Sequence, residues 1–386
     1  MKKFIELSKK EFKKIENELP GSSFYQTTNW AELKELTGWN SCCLGIQENN
    51  KIIAATLILY KSMFLGKKMF YAPRGYLMDF NDIELLDFFT NELKKYIKNN
   101  NGILLKIDPM VEYQHHDKYG DVIDDNFSKN DLYSYLCDLG YKHRGFTIGY
   151  SSELQFRWTF CLNIDRTKEE ILKTMDQRCR RCIRKYEKYP LKTVDVDNNN
   201  IDDFKAIMEH TAIRQNHFDR SKEYYLNLLN SFGDRIKMII IYLDRDKFLR
   251  EFKGDKLYDR VKGETVKMIP ISAGVFIFDN DRTNYVYGGT YSHYMPLMAQ
   301  YKLQMDMIYL SMDKGIKLYD FGGISGNFVH GTPDYGVYEF KRGFGGYVVE
   351  YIGEYDLIIN KFLYYLYNIG YNLYRNLKKL KSKFRK

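Results

Sequence analysis

The sequence predicts a mixed α/β protein built from two similarly ordered units in tandem. The chain has 386 residues and 44% of them are hydrophobic, so it can bury more core than one average domain. Short apolar runs alternate with amphipathic helical patterns along the chain. Each half also contains an apolar strand that ends at an aspartate, Asp108 in the first half and Asp320 in the second. Together these observations indicate a duplicated α/β unit.

In the first half, a strand hairpin is followed by a third strand, a long helix and a buried strand. Two helical patterns precede the hairpin, and a polar turn joins its strands. Helices are predicted over residues 9–19, 30–36 and 82–99, and strands over residues 42–47, 52–60, 68–71 and 103–107.

The second half repeats this order, with a charged stretch at residues 244–267 between its hairpin strands. Helices are predicted over residues 168–187, 201–214, 222–232 and 301–314, and strands over residues 160–164, 238–242, 269–278, 285–287 and 318–321. A last helix is predicted over residues 357–386, apolar at first and basic at its end.

The order of hairpin, strand, helix and strand is typical of the GNAT-type acyltransferase fold. This is an analogy of fold and does not by itself assign an activity. We therefore predict two tandem GNAT-like domains of the α/β (α+β) class. The first covers residues 1–150 and is completed by residues 353–386, and the second covers residues 151–352.

The formal net charge of +9 is concentrated in basic segments. The last twelve residues contain no acid and seven basic residues, Arg375, Lys378, Lys379, Lys381, Lys383, Arg385 and Lys386. A second basic run is Arg178-Cys-Arg-Arg-Cys-Ile-Arg-Lys185. Such segments suit a nucleic acid or an anionic membrane, and they equally suit a solvated helix face.

No motif indicates secretion, a membrane span or a metal. No apolar leader follows Met1 and no run of about 18 apolar residues occurs, so we expect reduced thiols and a cytoplasmic protein. The pair Cys179 and Cys182 lacks a second pair of ligands, and His115-His116 with Asp117 lacks a helical partner. We therefore predict no metal site.

The most unusual stretch comprises Lys317-Leu-Tyr-Asp-Phe-Gly-Gly-Ile324 and Tyr335-Gly-Val-Tyr-Glu-Phe-Lys-Arg-Gly-Phe-Gly-Gly346. An aromatic run leads to Lys341 and then to a glycine-rich turn, which indicates close approach of backbone and lysine to a substrate. A CoA enzyme needs an Arg/Gln-x-x-Gly-x-Gly loop that opens a helix. The nearest match starts at Arg342 and has Tyr347 where the last glycine belongs, so we expect no CoA and no other cofactor.

Ten short segments between residues 20 and 355 carry a family resemblance. They are Phe24-Tyr-Gln26, Trp30-Ala-Glu-Leu-Lys34, Ile52-Ile-Ala-Ala55, Tyr71-Ala-Pro-Arg-Gly75, Ile107-Asp-Pro109, Arg220 to Tyr225, Tyr285-Val-Tyr-Gly-Gly289, Tyr319-Asp-Phe-Gly-Gly323, Val337-Tyr-Glu-Phe-Lys341 and Tyr351-Ile-Gly-Glu354. As an ordered set they resemble the FemABX family of non-ribosomal peptidyltransferases. Some members carry a coiled-coil arm, but residues 244–267 are too few for one and lack heptads. The chain is therefore similar to the armless, FemX-like type.

The resemblance implies transfer of an amino acid from aminoacyl-tRNA to a peptidoglycan precursor. The acceptor is the side-chain amine of the third stem-peptide residue, in lipid II or in UDP-MurNAc-pentapeptide. Different members add glycine, alanine or serine, and the sequence does not distinguish among them. The enzyme must align the amine, accept its proton and stabilise an oxyanion. We expect it to act as a monomer.

The expected catalytic group is Lys341, whose ammonium would stabilise negative charge in the transition state. The resemblance adds the neighbouring Phe340, whose backbone carbonyl would orient the acceptor amine. Asp108 is a candidate general base, and it equally suits a helix cap or a brace for a loop.

Family positions that hold the acceptor's diphosphate and sugar match Lys34, Arg220, Tyr224 and Tyr287. Two cations would give charge-assisted bonds to phosphate, and tyrosine hydroxyls would add neutral donors. An alternative for Arg220 is an ion pair with Asp219 or Glu223.

The basic run supplies candidates for contact with tRNA phosphates, namely Arg178, Arg181, Arg184 and Lys185. The C-terminal helix has an apolar stripe before its basic end, formed by Phe362, Leu363, Tyr365, Leu366, Ile369, Leu373 and Leu377. It suits peripheral contact with the inner face of the membrane or packing on the first domain. The rival functions are an acyl-CoA-dependent GNAT N-acyltransferase and a non-catalytic protein that binds tRNA or a cell-wall precursor.

Overall fold

The computed structural model describes residues 1–123, 129–150 and 155–383, and the strands in these residues form two mixed sheets. The first sheet contains β1 (Lys3–Leu7), β2 (Asn40–Glu48), β3 (Lys51–Ser62), β4 (Lys68–Ala72), β5 (Gly102–Ile107), β7 (Tyr141–His143) and β15 (Tyr355–Ile358). The second contains β6 (Glu112–His116), β8 (Trp158–Asn163), β9 (Leu191–Asp195), β10 (Ile236–Asp244), β11 (Met268–Phe278), β12 (Arg282–Thr290), β13 (Leu318–Ile324) and β14 (Tyr347–Tyr351).

The helices pack around these two sheets. They are α1 (Lys9–Ile15), α2 (Thr28–Glu35), α3 (Ile83–Asn99), α4 (Asn130–Asp138), α5 (Lys168–Thr174), α6 (Gln177–Tyr186), α7 (Ile201–Arg214), α8 (Lys222–Phe232), α9 (Arg245–Glu251), α10 (Tyr258–Gly263), α11 (Ala299–Asp313), α12 (Tyr335–Arg342) and α13 (Lys361–Lys383). Several begin at polar N-caps, as the sequence pattern requires. Ser8 with Glu11, and Thr167 with Glu170, form reciprocal capping boxes.

The two sheets share one connection pattern. The order is β1-β2-β3-β4-β5-β15-β7 in the first and β6-β14-β8-β13-β12-β11-β10-β9 in the second. In each, a hairpin leads to a third strand, and a helix then crosses to a strand parallel to it, through α3 between β4 and β5 and through α11 between β12 and β13. The mixed α/β class and the repeated order are therefore confirmed.

The domain limits predicted from the sequence remain a prediction. Near them the chain passes from one sheet to the other. Residues of β6 precede residue 150, yet they pair with β14 in the second sheet. Residues of β15 pair with β5 in the first sheet. The chain thus crosses between the sheets more than once.

The hydrophobic core joins the two halves. One buried cluster contains Phe12, Leu33 and Leu57 from the first half together with Phe204 and Val275 from the second. Each fully buried aliphatic or aromatic side chain contributes about 1.5–3 kcal/mol. The halves are therefore held against each other by core packing, which fixes the cleft between them.

The single helix predicted over residues 168–187 is wrong. The chain forms α5 and α6, separated by Met175 and Asp176 in extended conformation. Arg180 donates to the Met175 carbonyl oxygen at 2.6 Å. Met175 is buried, and its position continues the helical spacing of apolar residues from α5 to α6. The sequence pattern therefore did not reveal the break between the two helices.

Other differences concern the ends and the short elements. The predicted C-terminal helix begins at Lys361, because Tyr355–Ile358 forms β15. The charged stretch 244–267 contains the short helices α9 and α10, and the predicted absence of a coiled-coil arm agrees with this. The sequence analysis missed β1, β6, β7, β9 and α4.

Candidate active site

A cavity of about 230 Å³ lies between the two halves, close to the ends of β5 and β13. Its wall is mostly aromatic and cationic, with one carboxylate from the second sheet. The lining residues are Ser23, Phe24, Tyr25, Arg74, Met110, Gln155, Phe156, Arg220, Asn284, Tyr285, Val286, Tyr287, Asp320, Gly322 and Tyr351. A largely apolar pocket with a few converging polar groups is the usual form of a ligand site.

Lys341 reaches the wall of this cavity from behind. It lies in α12 and is only 5% exposed. Its Nζ donates to the carbonyl oxygens of Gly322 at 3.0 Å and Gly323 at 2.7 Å. Burial lowers the pKa of Lys341 to about 7, against the opposing attraction of Asp320. A buried amine that titrates near neutrality beside a cavity is a typical sign of a functional group.

The aromatic run before Lys341 is helical, and the lysine lies within α12 rather than in the turn after it. Phe340 therefore points away from Lys341. Its ring contacts Tyr301 and Phe344, with centroids 5.1 and 5.3 Å away. Phe340 also lines a second cavity, of about 190 Å³, together with Arg178, Glu339, Arg342 and others. The two neighbours on α12 thus point to different sides, because Phe340 lines the second cavity and Lys341 lies behind the wall of the first.

Gly322 lies where a side chain would meet the Tyr285 carbonyl oxygen at too short a distance. Its φ is +75°, and a Cβ atom there would lie 2.7 Å from the carbonyl oxygen of Tyr285 and 4.0 Å from Lys341 Nζ. Only glycine adopts this conformation without strain. The positive φ and the contact with Tyr285 therefore both favour glycine at this point of the cavity wall.

Asp108 follows β5 and accepts three hydrogen bonds. Oδ1 accepts from the backbone N–H of Arg74 at 2.8 Å. Oδ2 accepts from the Tyr71 hydroxyl and the Gln155 N–H, both at 2.9 Å. Burial raises the pKa of the Asp108 carboxyl, although the positive charge of Arg74 opposes this rise. These contacts support the alternative that Asp108 braces the loops carrying Arg74 and Gln155.

Arg220, Tyr224 and Tyr287 lie together, as the sequence analysis expected. Ser221 caps α8 by accepting from the Tyr224 N–H, which places Arg220 just before the helix and Tyr224 in its first turn. The Arg220 guanidinium lies 5.1 Å from the centre of the Tyr224 ring. Arg220 and Tyr287 both line the first cavity.

Lys34 on α2 belongs to the same cluster. Burial and the neighbouring charge of Arg220 lower the pKa of Lys34 to about 8. Its Nζ lies 4.6 Å from the centre of the Trp30 ring. Two cations brought this close repel each other, and an anionic ligand between them would relieve the repulsion.

Within the described residues, Arg220 forms neither of the ion pairs considered as alternatives. It contacts Asp219 through its backbone N–H, at 2.8 Å. The Asp219 carboxylate is occupied by Lys205 and by the Tyr225 hydroxyl, at 2.8 and 2.6 Å. The guanidinium of Arg220 thus lies in the cavity wall beside Tyr287 and is paired with neither carboxylate.

Among the cations of α6, Arg178 lies beside the face of α12 that carries Glu339 and Phe340. Arg178 pairs with Glu339 at 3.1 Å and lines the second cavity. Arg181 and Arg184 are exposed and Lys185 is half-buried, while Cys179 and Cys182 pack into the core. Helix α6 thus has one basic, largely exposed face and one face that packs into the core.

Sequence reasoning assigned no role to Arg74, although it quoted the segment that contains it. Arg74 is buried and lies between the rings of Tyr351 and Phe156, at 4.6 and 5.1 Å. One guanidinium nitrogen donates to the Phe156 carbonyl oxygen at 2.6 Å. Because Tyr351 is distant along the chain, only the fold shows that Arg74 contributes a cation to the cavity.

No cluster of three or more His, Cys, Asp or Glu that could hold a metal occurs in residues 1–123, 129–150 and 155–383. His116 lies on β6, where its ring contacts Glu350 at 3.0 Å and the Gly120 carbonyl oxygen at 3.0 Å. His115 contacts Glu112 at 2.8 Å.

Comparisons with known proteins agree on one family. The model of the FemAB family matches residues 7–265 and 256–372. The aminoacyltransferase FemA of Staphylococcus epidermidis is 32% identical over 424 aligned positions, which cover 98% of this chain and 100% of the relative. The aminoacyltransferase FemA of Staphylococcus aureus is 30% identical over 409 positions, which cover 95% of this chain and 97% of the relative.

A solved structure agrees at the level of the fold. The crystal structure of FemX superposes with a TM-score of 0.80 and 23% identity, over 94% of this chain and 99% of that one. The resemblance in the sequence and the predicted fold class are confirmed.

Proposed function

Because this chain belongs to the FemAB family and is an aminoacyltransferase, we propose that it transfers an amino acid from aminoacyl-tRNA to a peptidoglycan precursor. The acceptor is the side-chain amine of the third stem-peptide residue, and the product is the start of a cross-bridge. One observation carries this assignment, namely the cavity between the halves, which has Arg220 and Tyr287 in its wall and Lys341 directly behind it.

The reaction forms an amide and breaks an ester. The acceptor nitrogen attacks the carbonyl carbon that joins the amino acid to the terminal ribose of tRNA. An oxyanion develops on that carbonyl, and the ribose hydroxyl then leaves and takes up the proton that the amine loses. The protonated form of Lys341 stabilises the oxyanion, since a charge in a site with little water acts more strongly than in solution.

The acceptor's diphosphate and sugar bind to the cluster of Lys34, Arg220, Tyr224 and Tyr287. Arg220 offers a planar fork suited to phosphate, and Lys34 adds a second charge. The pKa of Lys34 is lowered to about 8 because burial and the charge of Arg220 disfavour its ammonium form, which a diphosphate would favour. Arg74 lines the same cavity and adds a further cation to it.

The aminoacyl-tRNA approaches from the other side of α12. Phe340 and Arg178 line the second cavity there, and the exposed Arg181 and Arg184 with Lys185 extend the basic surface. Phosphates of the acceptor stem bind such a surface without regard to base sequence. Donor and acceptor would then meet at the backbone of Phe340 and Lys341.

We assign Asp108 to positioning rather than to proton transfer. Its two oxygens already accept three hydrogen bonds from Tyr71, Arg74 and Gln155. A general base needs a lone pair directed at the substrate. Asp108 instead holds the loops that bring Arg74 and Gln155 to the cavity.

The proposed location is the cytoplasm, as a monomer in peripheral contact with the inner face of the membrane through α13. No helix within the described residues is both long enough and apolar enough to span a bilayer. A lipid-linked acceptor would place the enzyme at that surface.

The proposed reaction is tested by giving the protein glycyl-, alanyl- and seryl-tRNA in turn. Each charged tRNA is incubated with the protein and with either UDP-MurNAc-pentapeptide or lipid II. The mass of the acceptor is then measured by mass spectrometry. We expect one aminoacyl residue to be added to the stem peptide. Absence of product with all three donors and both acceptors would refute the assignment, and turnover of acetyl-CoA would favour the acyl-CoA rival.

A further inference from the structure

The C-terminal helix α13 uses tyrosines to pack on the first sheet. Tyr364 and Tyr367 are buried against Ile103 and Leu104 of β5. The Tyr364 hydroxyl also donates to Asp356 at 2.7 Å. This face of the helix is therefore part of the folded domain. It is not the stripe predicted from the sequence, of which Leu363 alone packs against this cluster among the described side chains.

A second apolar face of the same helix remains uncovered. Its residues follow one another at helical spacing, so they form one continuous stripe. They are Phe362, Tyr365, Leu366, Ile369 and Leu373, and they are exposed by 69, 65, 40, 42 and 59%. Isolated exposed apolar residues are common, but a continuous stripe of this kind usually marks a contact surface.

A cationic cavity opens beside this stripe. It has a volume of about 490 Å³, and its wall includes Lys142, Arg144, Lys361, Tyr364, Tyr365 and Asn368. Tyr365 belongs both to the cavity wall and to the stripe, so the two features are continuous.

The charge of the cavity is net positive. Asp356 is fully buried and lies 3.2 Å from Lys106 and 3.5 Å from Arg144. Its single negative charge is thus compensated within the protein. Lys142 and Lys361 add positive charge at the surface, and residues 361–386 contain no acid.

We propose that the stripe and the cavity together form a docking surface for an anionic phospholipid bilayer. The stripe enters the boundary between headgroups and acyl chains, and the cavity binds a headgroup phosphate. An apolar stripe flanked by cations, with tyrosine between them, suits such an interface. A nucleic acid would use the cations but would leave the stripe in water.

This phosphate site differs from the one that holds the acceptor. The two cavities share no lining residue. The N–H groups of Ile359 and Asn360 both donate to the Ile103 carbonyl, so α13 starts beside the end of β5 opposite to Asp108. The docking surface rests on the proposed membrane contact, and it would hold the enzyme at the bilayer without occupying the cleft.

The test is flotation of the full-length protein with vesicles of phosphatidylcholine alone or with added phosphatidylglycerol. We expect binding to the anionic vesicles that weakens as salt is added, because salt screens exposed charges. Ile369→Glu should abolish the binding. Lys142→Ala and Lys361→Ala should each weaken it about five-fold, since one basic residue near an anionic surface contributes about 1 kcal/mol.

The matched control is Ile213→Glu, an exposed isoleucine on α7 that lies outside the stripe. It should bind vesicles as the wild type does. All variants are also assayed for transfer to UDP-MurNAc-pentapeptide without lipid, and this activity should be unchanged. Vesicle binding by Ile369→Glu at the wild-type level, or binding independent of phosphatidylglycerol, would overturn the docking surface. Absence of transfer by the wild type, with its vesicle binding intact, would instead count against the proposed reaction and leave the docking surface standing.

Discussion

The Nζ atom of Lys341 donates a 3.0 Å hydrogen bond to the carbonyl oxygen of Gly322, and the two residues are contributed by different elements, α12 and β13. Gly322 faces the cavity and Lys341 stands behind it. The lysine charge is thus held at the cavity wall by backbone oxygens.

Replacement of Lys341 by methionine tests its place in the transition state. Lys341→Met keeps the length of the side chain and removes the charge. We expect kcat to fall by about 10²–10³, the usual loss for one oxyanion-stabilising donor, with little change in the KM of the acceptor. Steady-state transfer assays give both constants.

Lys317→Met is the matched control, since Lys317 opens the same segment but has an exposed side chain. It should leave both constants unchanged. A Lys341→Met protein that changes mainly the KM would move Lys341 from catalysis to binding.

The pKa of Lys341, lowered to about 7 by burial, predicts a pH dependence. The ammonium is present below that pH and is lost above it. The acceptor amine must also lose a proton, but this step is common to all variants. The ratio of the wild-type kcat to that of Lys341→Met should therefore fall as the pH rises from about 6 to about 9. A ratio that rises with pH would make the neutral lysine a general base.

Gly322→Ala should damage the site beyond the cost of its backbone conformation. The new Cβ would lie 2.7 Å from the Tyr285 carbonyl oxygen, so the wall must shift. Gly315→Ala is the control, because Gly315 has a φ of +73° and open space around it. Both variants should lose about 1 kcal/mol in thermal unfolding through the positive φ, and Gly322→Ala should lose more because of the contact with Tyr285. Only Gly322→Ala should also lose kcat, and equal kcat values would separate Gly322 from the reaction.

Arg220→Ala tests the acceptor cluster. A charge-assisted hydrogen bond to phosphate contributes about 1.5–3 kcal/mol, so the KM of the acceptor should rise by about 10- to 100-fold while kcat changes little. The effect should disappear with a stem peptide that lacks the diphosphate. Arg214→Ala, at the end of α7 and outside the cavity wall, is the control. An equal effect on the peptide without diphosphate would place Arg220 elsewhere in the reaction.

The sequence predicted the helices and strands that have a regular local pattern of apolar residues. It did not predict the short strands that form only by pairing with distant parts of the chain. Strong periodicity predicted α3 and the apolar run predicted β5. In contrast, β7 has three residues and β15 has four, and each exists only because it pairs with strands remote in the chain. Such short runs carry no periodic signal.

The same distinction applies to the site. The aromatic run and the glycine-rich turn indicated Lys341, and the resemblance supplied Arg220. The structure adds how burial changes the pKa of Lys341. Arg74 went unassigned, because its partners Tyr351 and Phe156 come from other parts of the chain. Single residues are thus found from local motifs, whereas their environment follows only from the fold.

Asp108→Asn distinguishes bracing from base catalysis. The carboxylate accepts from the Arg74 N–H on one oxygen and from the Gln155 N–H on the other. An asparagine amide must direct its NH₂ group at one of these donors in either orientation. One buried N–H then lacks an acceptor, which costs about 1–3 kcal/mol of unfolding free energy. We expect a lower thermal midpoint and a kcat within about ten-fold of wild type, since general bases usually contribute 10²–10⁴-fold. A stable variant with a larger loss of kcat would show that Asp108 accepts the proton.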